Sequence, residues 1–215
     1  DVQFGSIVSV DQPVLAAITA HQQRCVVHPR VLRTGFAHTD HPQRKALGFC
    51  AAGHPGDLGG DVVVKPLFGA EGRGILRVTH PEMALRVFRT LERLNATIYQ
   101  QQFLTGPLED IRILLLDGEL VASMKRTPAV GDFRANAAQH GSSQKYAPTI
   151  AELNLARAAA DVTGCVFSGV DLMYNAAGEA IVIEVNAVPG WRTLQKTCRV
   201  DVPDRLLTWL ERLKT

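Results

Sequence analysis

DVVVKPLFGAEGRGILRV, residues 61–78, is the stretch on which the fold turns. Its β-branched start, Asp61–Lys65, predicts a strand, and Ile75–Val78 predicts a second. Between them Gly69, Gly72 and Gly74 fall at G-x-x-G-x-G spacing, with Glu71 and Arg73 interleaved. Three glycines let the backbone turn sharply and approach a ligand without interference from a Cβ. Successive free N–H groups in such a loop form a nest for an anion, and Lys65 at the end of the preceding strand adds a fixed cation. A bland hairpin needs only one or two glycines, so this combination favours phosphate binding.

The setting of the loop narrows the class. Dinucleotide fingerprints and Walker A loops lead into a helix, whereas this one joins two strands. A protein kinase has a strand–glycine loop–strand, but its lysine stands on the strand after the loop. Here Lys65 comes first.

Downstream the signals stay regular. Thr79 and Glu82 form a T-x-x-E capping box opening a helix that buries Ala84, Val87, Phe88 and Leu91 and ends near Asn95. Thr97–Leu104 reads as a strand. Ile111–Leu116 and Glu119–Met124 flank Asp117-Gly118, the strongest short hairpin signal. A second box, Thr149 and Glu152, starts a helix ending before Gly164. Cys165–Tyr174 and Glu179–Asn186 make another hairpin around Asn175–Gly178, and Pro203 precedes an amphipathic helix carrying Leu206, Leu210 and Leu213. Hairpins outnumber crossovers, so the class is α+β with mostly antiparallel strands.

Residues 1–60 differ. They hold five of the seven histidines and little periodicity: a short helix at Pro13–Gln22, an extended piece at Val31–Ala37, then loop from His38 to Gly60. Cys25-x-x-His28, His38-x-x-His41, Cys50 and His54 are zinc-type residues, but their spacing fits no standard finger.

Composition sets the outer limits. The 215 residues, 46% hydrophobic and 20% charged, suffice for one large domain or two intimate subdomains. A net charge of +2 creates no field that selects nucleic acid or a membrane surface. No apolar run reaches membrane-spanning length. No signal peptide is evident, and the first residue is Asp1, as in a fragment. Cysteines 25, 50, 165 and 198 make no CxxC pair, which argues against a disulfide scaffold and for the reducing cytoplasm; Cys165, in an apolar run, reads as core.

Two further constellations carry chemistry. Glu184 and Asn186 are two apart on a strand and leave the same face. If Asn175–Gly178 closes the hairpin, Tyr174 pairs with Glu179, and Asp171 falls opposite Val182, diagonal to Glu184. Two carboxylates and an amide oxygen then converge, a hard donor set suited to Mg²⁺ or Mn²⁺ with help from phosphates. Solvated carboxylates on an edge hairpin are the plainer alternative. The other constellation is Asp110-Ile-Arg112, Lys125-Arg126 and Asp132-Phe-Arg134-Ala-Asn136, whose arginines can clamp phosphate oxygens; each is weak alone.

In this order, with Gln101-Gln102-Phe103-Leu104, GDFRAN (131–136) and EVNAVPG (184–190), the chain resembles the ATP-grasp superfamily, and within it the RimK-type α-L-glutamate ligases. The wording of VVVKPLFGAEGRG and VPGWRTLQK is similar to the branch that adds glutamate to tetrahydromethanopterin. The resemblance covers about residues 61–213 well and RTGFAH (33–38) weakly. It implies two α/β subdomains gripping ATP between them. Residues 61–104 would be the smaller one with its glycine-rich lid, 105–215 the C-terminal one with the metal site, and 1–60 a divergent or truncated N-terminal region. By the same resemblance Lys65 holds the α/β-phosphates, and Gly69, Glu71, Gly72 and Gly74 belong to the lid. Gln102, where the family usually has Glu, and Phe103 form the adenine hinge. Asp110 contacts the nucleotide, Arg134 and Asn136 face the γ-phosphate, and Arg126 joins Arg134 as a catalytic arginine. Asp171, Glu184 and Asn186 ligate two divalent cations.

The implied activity is an ADP-forming ligation. ATP converts a carboxylate to an acyl phosphate, which the amine of L-glutamate attacks as phosphate leaves. The acceptor would be tetrahydromethanopterin or a protein C-terminus; no nucleic acid or membrane partner is implied, and homo-oligomerisation stays open. Near Ala17–Arg24, where the family carries an earlier ATP-binding lysine, this chain has His21 and Arg24. That motivates one alternative, an ATP/Mg-binding remnant without turnover. A phosphotransferase using the same cradle is another.

Overall fold

The computed structural model describes residues 25–27, 60–66, 74–94, 98–134 and 141–213. The expected helix at 13–22, the extended piece at 31–37 and the histidine-rich loop lie outside them, as do all the zinc-type residues but Cys25. The chain forms two compact units that meet in sequence at Phe103 and Leu104.

The described residues of the first unit form a four-stranded sheet and one helix. Its strands are β1 (Cys25–Val27), β2 (Val62–Pro66), β3 (Leu76–Val78) and β4 (Ile98–Gln102), in the order β1-β4-β2-β3, all antiparallel. Helix α1 (Pro81–Arg93) lays Ala84 and Phe88, with Val87 and Leu91, against Val62, Val64 and Val78. The helix start differs from the expected capping box. His80 takes the capping place: its carbonyl accepts from the Ala84 N–H, and its Nδ1 accepts from the Glu82 N–H at 3.3 Å.

The second unit is built on β5 (Asp110–Leu116), β6 (Glu119–Thr127), β7 (Ser142–Lys145), β8 (Phe167–Tyr174) and β9 (Ala180–Asn186), ordered β7-β6-β5-β8-β9 and antiparallel throughout. Asp117 and Gly118, at φ 52° and 73°, make the tight turn between β5 and β6. Helix α2 (Ile150–Thr163) has the predicted Thr149–Glu152 box and ends on Gly164 in the left-handed conformation. It packs Ala156, Ala159 and Ala160 on Ile111, Ile113, Leu115, Val170 and Leu172. On the opposite face Leu114 and Met124 meet α3 (Arg192–Cys198) and α4 (Val202–Arg212) through Leu194, Cys198 and Val202.

Several expectations are corrected. β7 reads SSQK, a polar edge strand without apolar alternation, so pattern alone leaves it invisible. The short α3 was also not anticipated; Trp191 opens it and packs on the core. In α4 the buried residue is Val202, and Leu206 packs on the core while Leu210 and Leu213 are exposed. Among the described residues, Cys165 is half-buried, whereas Cys198 lies in the core. No helix among the described residues is long and apolar enough to cross a membrane.

Candidate active site

In the first unit α1 covers one face of the sheet, and alternation sends Val63, Lys65, Arg77 and Gln101 to the other. Lys65 Nζ donates to Gln101 Oε1 at 2.5 Å. One strand over, Arg77 lies across from Val63 and forks onto Asp61, with Nε–Oδ1 at 2.9 Å and Nη2–Oδ2 at 2.7 Å. The same guanidinium lies 3.6 Å from the centre of the Phe103 ring, and the Phe103 N–H donates to the Asp61 carbonyl. Asp61, Arg77 and Phe103 thus form one stack at the exit from β4. The sequence reading picked out Phe103 but not Arg77, whose only signal was its cross-strand position. Gln102 is exposed. Gly74 takes φ +75°, a turn conformation that suits glycine. Gly69, Glu71 and Gly72 lie outside the described residues.

The second unit gathers the charged residues along one face of its sheet. Asp110 and Arg112 on β5, Arg126 on β6, Asp171 on β8 and Glu184 with Asn186 on β9 share the face of Leu114 and Met124. Arg112, Asp171 and Glu184 form one row, each directly opposite the next.

That row depends on a bulge. The turn is one residue longer than the sequence suggested: Tyr174 pairs with Ala180 and Leu172 with Val182, yet Asp171 pairs with Glu184. Ile183 is the extra residue. Val182 and Val185 both pack on the α2 side, so the bulge turns Glu184 to the opposite face, towards Asp171. In a regular strand Glu184 would have shared the α2 face with Val182.

The charges alternate. Arg112 forks onto Asp171, with Nε–Oδ1 at 2.7 Å and Nη2–Oδ2 at 2.6 Å. Arg126 reaches the same Oδ2 at 3.0 Å and forks onto Asp110 at 2.5 and 2.7 Å. The side chains of Arg126 and Asp171 are only 4% and 7% exposed, so these are low-dielectric pairs. Burial favours the neutral acid at Asp171, but Arg112 and Arg126 outweigh it and hold its carboxyl down to about 2. At Asp110 burial wins over Arg126, the negative charge of Asp171 adds to it, and the carboxyl is pushed up to about 6. Arg112 also donates from Nη1 to the Gly190 carbonyl at 3.4 Å, which ties the network to the loop after β9.

The remaining predicted residues fall outside this network. Arg134 pairs with Asp132, Nη2–Oδ2 at 2.7 Å, and this hydrogen bonding holds the Asp132 carboxyl down to about 2. Asn136 is not among the described residues. Glu184 is exposed, and Asn186 Nδ2 is buried without a hydrogen-bond partner among the described residues.

A profile of the RimK-like ATP-grasp domain matches residues 54–210. The chain belongs to the RimK-like ATP-grasp family. It is 34% identical over 155 residues to a probable alpha-L-glutamate ligase of Maridesulfovibrio salexigens, covering 72% of this chain and 51% of that protein. It is 35% identical over 158 residues to the ribosomal protein bS6–L-glutamate ligase of Salmonella paratyphi B, covering 73% and 52%. The chain therefore spans about half the length of the curated relatives it matches. Among solved structures it is similar to the ATP-grasp ligase PsnB complexed with a phosphomimetic variant of its minimal precursor, Mg and ADP. That likeness has a TM-score of 0.65 at 17% identity and covers 97% of this chain and 59% of that one. D-alanine–D-alanine ligase from Bacillus anthracis, complexed with ATP, gives a TM-score of 0.58 at 18% identity, covering 87% and 57%. The fold is that of an ATP-grasp protein, α+β with antiparallel sheets.

Proposed function

We propose that this chain carries the ATP-using part of an ADP-forming carboxylate–amine ligase that adds L-glutamate to an acceptor carboxylate. The observation that carries the proposal is the row Arg112–Asp171–Glu184, set by a bulge inside a domain of the RimK-like family. The glutamate-ligase names of its relatives support glutamate as the amine.

A carboxylate is a poor electrophile. In the proposed reaction an acceptor oxygen attacks the γ-phosphorus of ATP, the bond to the β-phosphate oxygen breaks, and ADP leaves. The glutamate nitrogen then attacks the acyl carbon, phosphate departs with the bonding pair, and the amine loses a proton. Lys65 is assigned to the α/β-phosphates, with Gly69, Glu71, Gly72 and Gly74 as the lid over them. Gln102 and Phe103 are assigned to the base, Asp110 to the nucleotide, and Arg134 with Asn136 to the γ-phosphate and acceptor carboxylate. Arg126, deep in the network, would act there by holding Asp110 and Asp171 in place. Asp171, Glu184 and Asn186 would hold two Mg²⁺ or Mn²⁺ ions. The fit rests on hard oxygen donors in register and on the orphaned amide of Asn186, whose oxygen and nitrogen can exchange places by a flip. A bound divalent cation supplies neutralisation of phosphoryl oxygens. For the acceptor, the name of the bS6 relative supports a protein, whereas only local wording supports tetrahydromethanopterin.

Thermal melting with Mg²⁺ and ATP tests the assignment. The wild-type chain is expected to be stabilised, and Lys65→Ala and Glu184→Ala each to abolish that shift; an unchanged shift in both variants removes the site. Glutamate-dependent release of ADP and phosphate, screened with peptide and pterin acceptors, separates the ligase from the phosphotransferase. Binding without release identifies a remnant.

A further inference from the structure

Arg77 stands on the sheet face that carries Lys65, directly across from Val63, and takes no part in the assigned chemistry. Its guanidinium makes two contacts of different kinds. Nε and Nη2 fork onto the two oxygens of the Asp61 carboxylate, at 2.9 and 2.7 Å. Cζ lies 3.6 Å from the centre of the Phe103 ring. Asp61 also holds Phe103 through the backbone, its carbonyl accepting from the Phe103 N–H at 2.9 Å. The residue just before β2 thus grips the residue just after β4 twice, once at the backbone and once, through Arg77, at the ring. As a stabilising device this is weak, because the Arg77 and Asp61 side chains are 38% and 29% exposed and a salt bridge so placed contributes little. An aliphatic side chain would also cover the ring. What the guanidinium adds is direction: a planar fork on a carboxylate has one orientation, and the ring it covers is oriented with it.

We infer that Arg77 is a positioning residue for the nucleotide base: held by Asp61, it orients Phe103 and with it the Gln102–Phe103 segment assigned to the base, and so sharpens the choice between bases. This rests on the base assignment proposed above and deepens it. Arg77 and Asp61 are neutral as a pair, so together they add little to the attraction for a polyphosphate. Hydrogen bonds to a base edge are directional, and an analogue that inverts a donor or acceptor there is rejected only by groups fixed in place.

Calorimetric titration of the 215-residue chain with ATP and with inosine triphosphate (ITP), each with Mg²⁺, tests this without any turnover. The two ligands share ribose and phosphates and differ at the base edge, where ITP has an oxo group in place of the amine. The wild type is expected to prefer ATP. Arg77→Met, which keeps an unbranched stem but removes the fork and the charge, should lower the ATP-to-ITP affinity ratio on the order of fivefold. Asp61→Asn, which keeps the backbone carbonyl, should lower it in the same direction and by less. The double variant should fall no further than Arg77→Met, because the Asp61 carboxylate acts through Arg77. An unchanged ratio in Arg77→Met, whether both affinities hold or both fall together, overturns the inference, as does a double variant whose losses add. Should Arg77→Met fail to fold, the ratio in Asp61→Asn decides. A wild type with no preference for ATP removes the base assignment and the role of Arg77 with it, whereas a preference that survives in the variants removes the role of Arg77 alone.

Discussion

On one face of the five-stranded sheet, Ile111, Ile113, Leu115, Val170 and Leu172 meet α2 through aliphatic contact alone. On the other, Leu114 and Met124 pack against α3 and α4, and then the same strands switch to Asp110, Arg112, Arg126 and Asp171. Each face also holds a buried carboxylate, and the partners differ. Glu152, on the α2 side, accepts from the hydroxyls of Tyr146 and Tyr174 and from the Thr149 N–H. Among the described residues Asp171 accepts from guanidiniums. Neutral donors fix a helix start in place. Full charges, held out of water, form a network whose parts depend on one another and whose balance an added ion can shift.

The contrast is sharpest where charge is removed. Arg126→Met should strand Asp110 beside Asp171, which keeps its fork with Arg112, and cost about 3–5 kcal/mol in urea unfolding; a loss below 1 kcal/mol would show that the network is not a low-dielectric one. Ile113→Ala and Leu114→Ala probe the apolar parts of the two faces at adjacent, fully buried positions. Each should cost about 2–5 kcal/mol, and a much smaller value at Leu114 would mean that α3 and α4 pack loosely. Glu152→Gln should cost about 1.5–3 kcal/mol near neutral pH. Burial opposes the Glu152 charge, but Tyr174, Thr149 and Tyr146 hold its carboxyl below the usual range. Its contribution is therefore present above the unfolded-state pKa and fades as pH falls through the folded one, so the wild-type and Glu152→Gln melting curves should converge on acidification. A gap that persists at low pH would assign the loss to shape. The smallest effect is expected at the turn serving both faces: Gly118→Ala, at φ +73° in open space, should lower stability by about 1–2 kcal/mol and leave nucleotide-induced stabilisation unchanged.

Much of this was legible in the chain. The Thr149–Glu152 box and Gly164 bounded α2, Asp117-Gly118 joined β5 to β6, and Ala84, Val87, Phe88 and Leu91 named the buried stripe of α1, because each signal acts within a turn or two of backbone. His80 displaced Thr79 as the cap of α1 because an imidazole nitrogen can accept the same N–H, a competition that a motif does not display. β7 was silent because an edge strand of Ser, Gln and Lys takes its shape from β6, not from its own residues.

The amino-acid order by itself determined which chemical groups are present, the antiparallel class of the sheets and the likeness to RimK-type ligases, since these follow from local propensity and short motifs. Only the tertiary structure decided that Asp171 stands beside Glu184. The sequence-based register placed them on one face by a different pairing, and the observed neighbourhood comes from a longer turn and a bulge at Ile183. It likewise decided that Arg112 and Arg126 spend their charges on Asp171 and Asp110, residues up to 59 positions away. Such choices depend on which strands pair and how deeply they are buried, and in a low dielectric an opposite charge within reach outweighs anything the local sequence prefers.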